Sequence, residues 1–137
     1  MDSQTPGNVD KIEEREFDCF ACASHLVKGV LVTIRGGMGV SATKYFNPTD
    51  NEEMVEKELD TLNQKLTAFS TCVINDQFIL VLGGHFGHWW KSRSNLCYLL
   101  DVDAEKWIKL PSQFNLKQAR YHFQCCVMED KVIVYSF

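Results

Sequence analysis

The sequence predicts an all-β fold built from repeated units, and three observations carry that prediction. Of the 137 residues, 45% are apolar, enough to fill a packed core. Two apolar, partly β-branched runs, Leu31 to Gly37 (LVTIRGG) and Phe78 to Gly84 (FILVLGG), each end in a glycine pair, with Gly36 and Gly83 separated by 47 positions. A third copy begins near Ala119, where Phe123, Cys125, Cys126, Val127 and Asp130 match Phe69, Thr71, Cys72, Val73 and Asp76 at an offset of 54. A period of about 40 to 50 residues is that of propeller blades, so the expected architecture is an incomplete β-propeller of about two and a half blades.

Residues 1–18 form an acidic tail. Asp2, Asp10, Glu13, Glu14, Glu16 and Asp18 face only Lys11 and Arg15, so the tail carries the whole net charge of −4 and the remaining body is neutral. With no strand pattern, this tail is expected to be disordered. The first blade covers about 19–66. In it LVTIRGG reads as a buried strand, and the glycine pair that follows permits backbone angles and close approaches that a Cβ forbids. Ser41 to Met54 aligns without gaps to Ser94 to Trp107 at an offset of 53, which puts six extra residues between Gly84 and Ser94 and sets Met54 where the second unit has Trp107. Over Glu53 to Leu66 a helix competes with a fourth strand. Val55, Leu59, Leu62 and Leu66 recur at helical spacing, Thr49 and Glu52 form a capping box, and a short helix in this blade-to-blade connection is favoured. The second blade, about 67–111, contains FILVLGG, the strand LCYLLDV, a turn over Asp103 to Lys106, and the short strand WIKLP closed by Pro111. The third starts at about 119 and runs to 137.

Read in order, the glycine pair Gly83 and Gly84, Tyr98 ahead of an acidic turn containing Glu105, then Trp107, then the strand opening Arg120, Tyr121, His122 resemble the kelch repeat. The stretch NLCYLLDVDAEKWIKLPSQFNLKQARYHFQCCVMEDKVIVYSF looks most like the kelch half of the BTB-kelch proteins, and the resemblance covers roughly 19–137 without a BTB half. The first unit departs from the pattern at Met54. The resemblance implies structural roles for Gly36, Gly37, Gly83, Gly84, Tyr98, Trp107 and Arg120, with Trp107 in buried blade packing. It also implies a binding module for another protein, resembling adaptors that bring targets to a cullin-based ubiquitin ligase.

One segment stands out from ordinary core and turn composition. His85, Phe86, His88, Trp89, Trp90, Lys91 and Arg93 fall in the extra loop between the second and third strands of a blade. Trp and Arg are enriched among interface hot spots, so this loop is the candidate partner-binding site. The competing structural reading lays Trp89 and Trp90 against a neighbouring blade, and Arg120 with His122 between blades.

Other chemistries find little support. The neutral body has no surplus of Lys and Arg to displace counterions from phosphates, so no nucleic acid is expected. No stretch approaches the ~18 apolar residues of a spanning helix and the N-terminus is polar, so a cytoplasmic protein without membrane contact is expected. The six cysteines are then expected to be free thiols, with Cys72, Cys97, Cys125 and Cys126 in apolar β runs. Cys19, Cys22 and His25 have a spacing that suits a metal but lack a fourth ligand, and the adjacent Cys125 and Cys126 point to opposite faces of a strand. No nucleophile–base pairing and no phosphate loop is recognisable, so neither enzyme activity nor a cofactor or metal is expected. The rival from another class is a small cytosolic metal or redox protein using Cys19, Cys22 and His25; a third reading is a truncated product without an independent role. Self-association, or completion of the propeller by another chain, is expected.

Overall fold

Alternating burial along short β-branched runs sets the local structure. In the computed structural model, the described residues are 9, 11, 12, 14, 22–36, 39–46, 55–62, 64, 66–86, 93–120 and 123–136, with Cys22 and Phe86 described by backbone alone. The acidic tail therefore lies almost wholly outside them. The strands are β1 (Cys22–Val27), β2 (Val30–Arg35), β3 (Ser41–Phe46), β4 (Val55–Glu58), β5 (Leu66–Thr67), β6 (Ser70–Ile74), β7 (Phe78–Leu82), β8 (His85–Phe86), β9 (Cys97–Asp101), β10 (Lys106–Lys109), β11 (Gln124–Met128) and β12 (Lys131–Tyr135). The fold is all-β, as expected. A single 3-10 turn over Ser112–Phe114 is the one helical feature among the described residues.

Two four-stranded antiparallel sheets are built alike: β1-β2-β3-β4 in chain order, and β6-β7-β9-β10, again in chain order apart from the short β8. A third sheet is the hairpin β11-β12, and β5 pairs with β8. Tight turns close the first hairpin of each unit. Lys28 and Gly29 take positive φ between β1 and β2, Asn75 and Asp76 between β6 and β7, and Glu129 between β11 and β12. Two successive positive φ values match the right-handed twist of the flanking strands.

The sheets stack face to face. Val27, Val32, Ile34, Val40 and Ala42 of the first pack with Ile79, Val81, Tyr98 and Leu100 of the second in one buried cluster. On the other face of the second sheet, Cys72, Leu80, Leu82 and Cys97 pack against Phe123, Cys125, Val132 and Val134 of the third unit. The second sheet is thus apolar on both sides, which is why FILVL is a continuous apolar run rather than an alternating one.

Three expectations are corrected. The helix over Glu53 to Leu66 is replaced by strand β4, followed by an extended chain in which Leu59 N–H donates to Ala42 O at 2.8 Å and Leu62 bridges Val40. The apolar spacing was real, since Leu59 and Leu66 are buried, but both reach the core from extended backbone. The gapless alignment of the third strands also fails. Leu31 lies opposite Tyr45 as Phe78 lies opposite Asp101, so the offset grows from 47 to 56 between the second and third strands. The counterpart of the Leu100–Trp107 pair is then Lys44–Lys57, and Met54 is not the equivalent of Trp107. Finally, Trp107 is half-buried rather than fully enclosed: its indole packs on the first core cluster while Nε1 donates to Asp60 O at 2.7 Å. A Trp at this edge keeps its polar end paired while burying its apolar body.

Candidate functional site

The enlarged connection between β7 and β9 starts at Gly83. A Cβ at Gly83, φ +63°, would sit 2.7 Å from Arg120 O and 2.8 Å from the Phe123 ring; one at Gly84, φ +103°, would sit 2.9 Å from Thr67 O. Only glycine fits both the backbone angle and the space at these two positions. The gap they leave is where the second unit meets the lead-in to the third.

Backbone hydrogen bonds stitch that junction. Gly84 N–H donates to Arg120 O at 2.8 Å, Arg120 N–H to Ser94 O at 3.1 Å, and Ser94 N–H to Gly84 O at 2.9 Å. The Ser94 side chain is buried, and its Oγ accepts from Leu96 N–H at 3.1 Å. The Arg120 guanidinium donates through Nη1 to Ser136 Oγ at 3.0 Å, beyond the end of β12. Gly83, Gly84 and Arg120, assigned structural roles from the repeat pattern, are therefore brought together, and Ser94 completes the knot. Ser94 was not singled out by the sequence, where nothing but its place just ahead of an apolar strand marks it.

The chain leaves this knot at His85 and returns at Arg93. His85 and Phe86 pair with Thr67 and Leu66, and His85 bridges Arg93, so both ends of the excursion are held on backbone pairing. His85 is half-buried and Arg93 exposed. His88, Trp89, Trp90 and Lys91 lie outside the described residues, as do Gly37, Tyr121 and His122; Gly36 directly follows β2. Tyr98 is buried on β9, where desolvation raises the pKa of its phenol.

Of the three residues in the metal reading, His25 alone has a described side chain. Cys22 opens β1, described by backbone alone, and His25 lies three positions further along the strand. The His25 ring is engaged with the next unit, Nε2 lying 2.6 Å from Thr71 Oγ1, and burial lowers its pKa. Cys19 lies outside the described residues, and among those described no group of three His, Cys, Asp or Glu is placed to hold a metal ion. No helix among the described residues is long and apolar enough to cross a membrane.

An open cleft of about 310 Å³ separates the second sheet from the β11-β12 hairpin, lined by Leu80, Leu82, Cys97, Phe114, Val132 and Val134. Its lining is apolar apart from Asp130 and Cys97, which gives no paired acid and base for proton transfer. No protein-family model matches the chain, and no curated protein does.

Proposed function

We propose that the chain is a protein-binding module of the kelch type, part of a β-propeller, that contacts a target protein through the loop from His85 to Arg93. The observation that carries this reading is the offset that widens from 47 to 56 at one connection, while the strands on either side keep their pairing. An insertion rooted on a rigid sheet, with two Trp, two His, Lys91 and Arg93 in its sequence, is the usual form of a recognition loop. Two meander sheets stacked face to face, each with its strands in chain order, support the propeller architecture, as does a third hairpin on the far face of the second sheet. The kelch-like order of Gly83, Gly84, Tyr98, Trp107 and Arg120 extends the proposal to a target-binding role of the kind served by adaptors of cullin-based ubiquitin ligases.

The test is affinity capture with wild-type chain against the double substitution Trp89→Ser and Trp90→Ser. The expected result is loss of captured partner with an unchanged melting temperature. A double variant that melts early while its folded fraction captures the same proteins would make both tryptophans structural and sink the loop assignment.

A further inference from the structure

Three thiols meet on one side of the second sheet, and their surroundings differ. Cys72 on β6 is buried, Cys97 on β9 is buried, and Cys125 on β11 is half-buried in the same apolar cluster. Ser70 and Cys72 are two positions apart and so share a face of β6, and that face meets β11: Ser70 Oγ donates to Cys125 Sγ at 3.1 Å. Cys72 lies on the same face of β6 as Ser70 and in the same apolar cluster as Cys125, so the two thiols face each other across the junction of the second and third units. Cys97 is occupied elsewhere, its thiol donating to Phe114 O at 3.1 Å. Cys126, the neighbour of Cys125 in the strand, points to the opposite face of the hairpin.

We propose that Cys72 and Cys125 are a site of reversible oxidation, closing a disulfide between the second and third units when a hydroperoxide reaches Cys125. The division of labour follows from what each sulfur touches. The neighbouring Cys72 thiol and then the Ser70 hydroxyl favour the Cys125 thiolate and lower its pKa against the effect of burial. Cys72, beside Cys125 and buried, has its pKa raised and stays protonated. Burial pushes Cys97 up to about 11, leaving it inert at neutral pH. The half-buried Cys125 is therefore both the reactive thiol and the accessible one.

The Cys125 thiolate attacks the terminal peroxide oxygen and the O–O bond breaks. Cys125 becomes a sulfenic acid, and the departing alkoxide or hydroxide takes up a proton. The Cys72 sulfur, losing its proton, then attacks the Cys125 sulfur; the S–O bond breaks and water leaves. Two thiols have lost two electrons, and the hydroperoxide has become water and an alcohol, or two waters when it is hydrogen peroxide.

The experiment is peptide mapping of the reduced full chain before and after hydrogen peroxide, with remaining thiols blocked by alkylation under denaturing conditions. The expected result is a Cys72–Cys125 linked peptide, loss of two of the six free thiols in that pair, and full reversal by dithiothreitol. The Cys72→Ser variant should instead accumulate sulfenic acid on Cys125, trapped by dimedone, and wild-type mapping decides the matter even if that variant folds poorly. The proposal fails if Cys72 and Cys125 both remain alkylatable, if Cys125 runs on to sulfinic acid with Cys72 still free, or if the first crosslink involves Cys97 or Cys126.

Discussion

At Gly83 and Gly84 the requirement for glycine is imposed from outside the local turn. Both residues sit at positive φ, yet an isolated αL position tolerates Asn or Asp at modest cost. Here the added constraint is the neighbouring unit, whose Arg120 carbonyl and Phe123 ring occupy the space a Cβ needs. The atom at 2.7 Å is backbone, held in place by the Gly84 and Ser94 hydrogen bonds, and cannot swing aside as a side chain would. Gly83→Ala should therefore cost about 3 kcal/mol or more, the upper part of the range for a single strained backbone position. Urea denaturation measures it directly. A loss below about 1 kcal/mol, within the ordinary glycine-to-alanine range, would show that the junction yields. Glycine at Gly29 offers the contrast: its φ is also positive, but a Cβ there meets nothing within 4 Å.

At the scale of the strand, the first and second sheets differ at one cross-strand pair. Where the second sheet places Leu100 opposite Trp107, the first places Lys44 opposite Lys57. Like charges directly opposed weaken a sheet. Glu105, at the turn of the second sheet, offsets this by reaching both ammonium groups, 3.5 Å to Lys44 and 3.0 Å to Lys57. Its carboxyl pKa is lowered from 4.5, first by the hydrogen bond from Lys57. A depressed carboxylate contributes stability that is present above its unfolded pKa and lost as pH falls through the folded one. Glu105→Gln should thus destabilise the protein near neutral pH by about 0.5–1 kcal/mol, a value kept small by solvent exposure. The gap from wild type should close as pH falls through the lowered folded pKa of Glu105, below which both chains are uncharged at this position. Equal denaturation midpoints at neutral pH would remove Glu105 from the role of bridge.

Much at this scale was legible in the sequence. The apolar runs before the glycine pairs, the strand LCYLLDV and the start of the third copy at Phe123 all reappear as strands or their anchors, because continuous burial on both faces leaves a strong local signal. The helix over Glu53 to Leu66 was misread because Val55, Leu59, Leu62 and Leu66 satisfy helical spacing, whereas edge pairing with β3 and core contacts from extended backbone outweigh that local pattern. The third-strand register was misplaced because matching Tyr45 with Tyr98 pleases a sequence alignment. Burial shows the equivalence to be Ala42 with Tyr98, both in the shared core. Of the candidate loop, only the root at His85, Phe86 and Arg93 falls among the described residues, while the part of Ser94 in the knot that holds it was invisible, being made mostly of backbone bonds.

For the molecule as a whole, the consequence lies in the outward face of the third unit. Val132 and Val134 point in toward the second sheet, so by alternation Lys131, Ile133 and Tyr135 point away from it. Directly opposite residues share a face, which places Cys126 beside Ile133 and Met128 beside Lys131. Ile133 and Tyr135 are 39% and 40% exposed and Met128 60%, an apolar patch on a two-stranded sheet. Among the described residues no further strand pairs with this hairpin, and a strand edge beside exposed apolar side chains is a template for association. The isolated chain should therefore self-associate in a concentration-dependent way, seen as a rising weight-average mass in sedimentation or light scattering. Ile133→Lys should shift it toward monomer, because it sets a charge in the middle of the patch while leaving the inward Val132 and Val134 contacts untouched. A wild-type chain that stays strictly monomeric and unfolds cooperatively over the whole concentration range would mean that this face needs no cover, and the open-stack picture of the fold would fall with it.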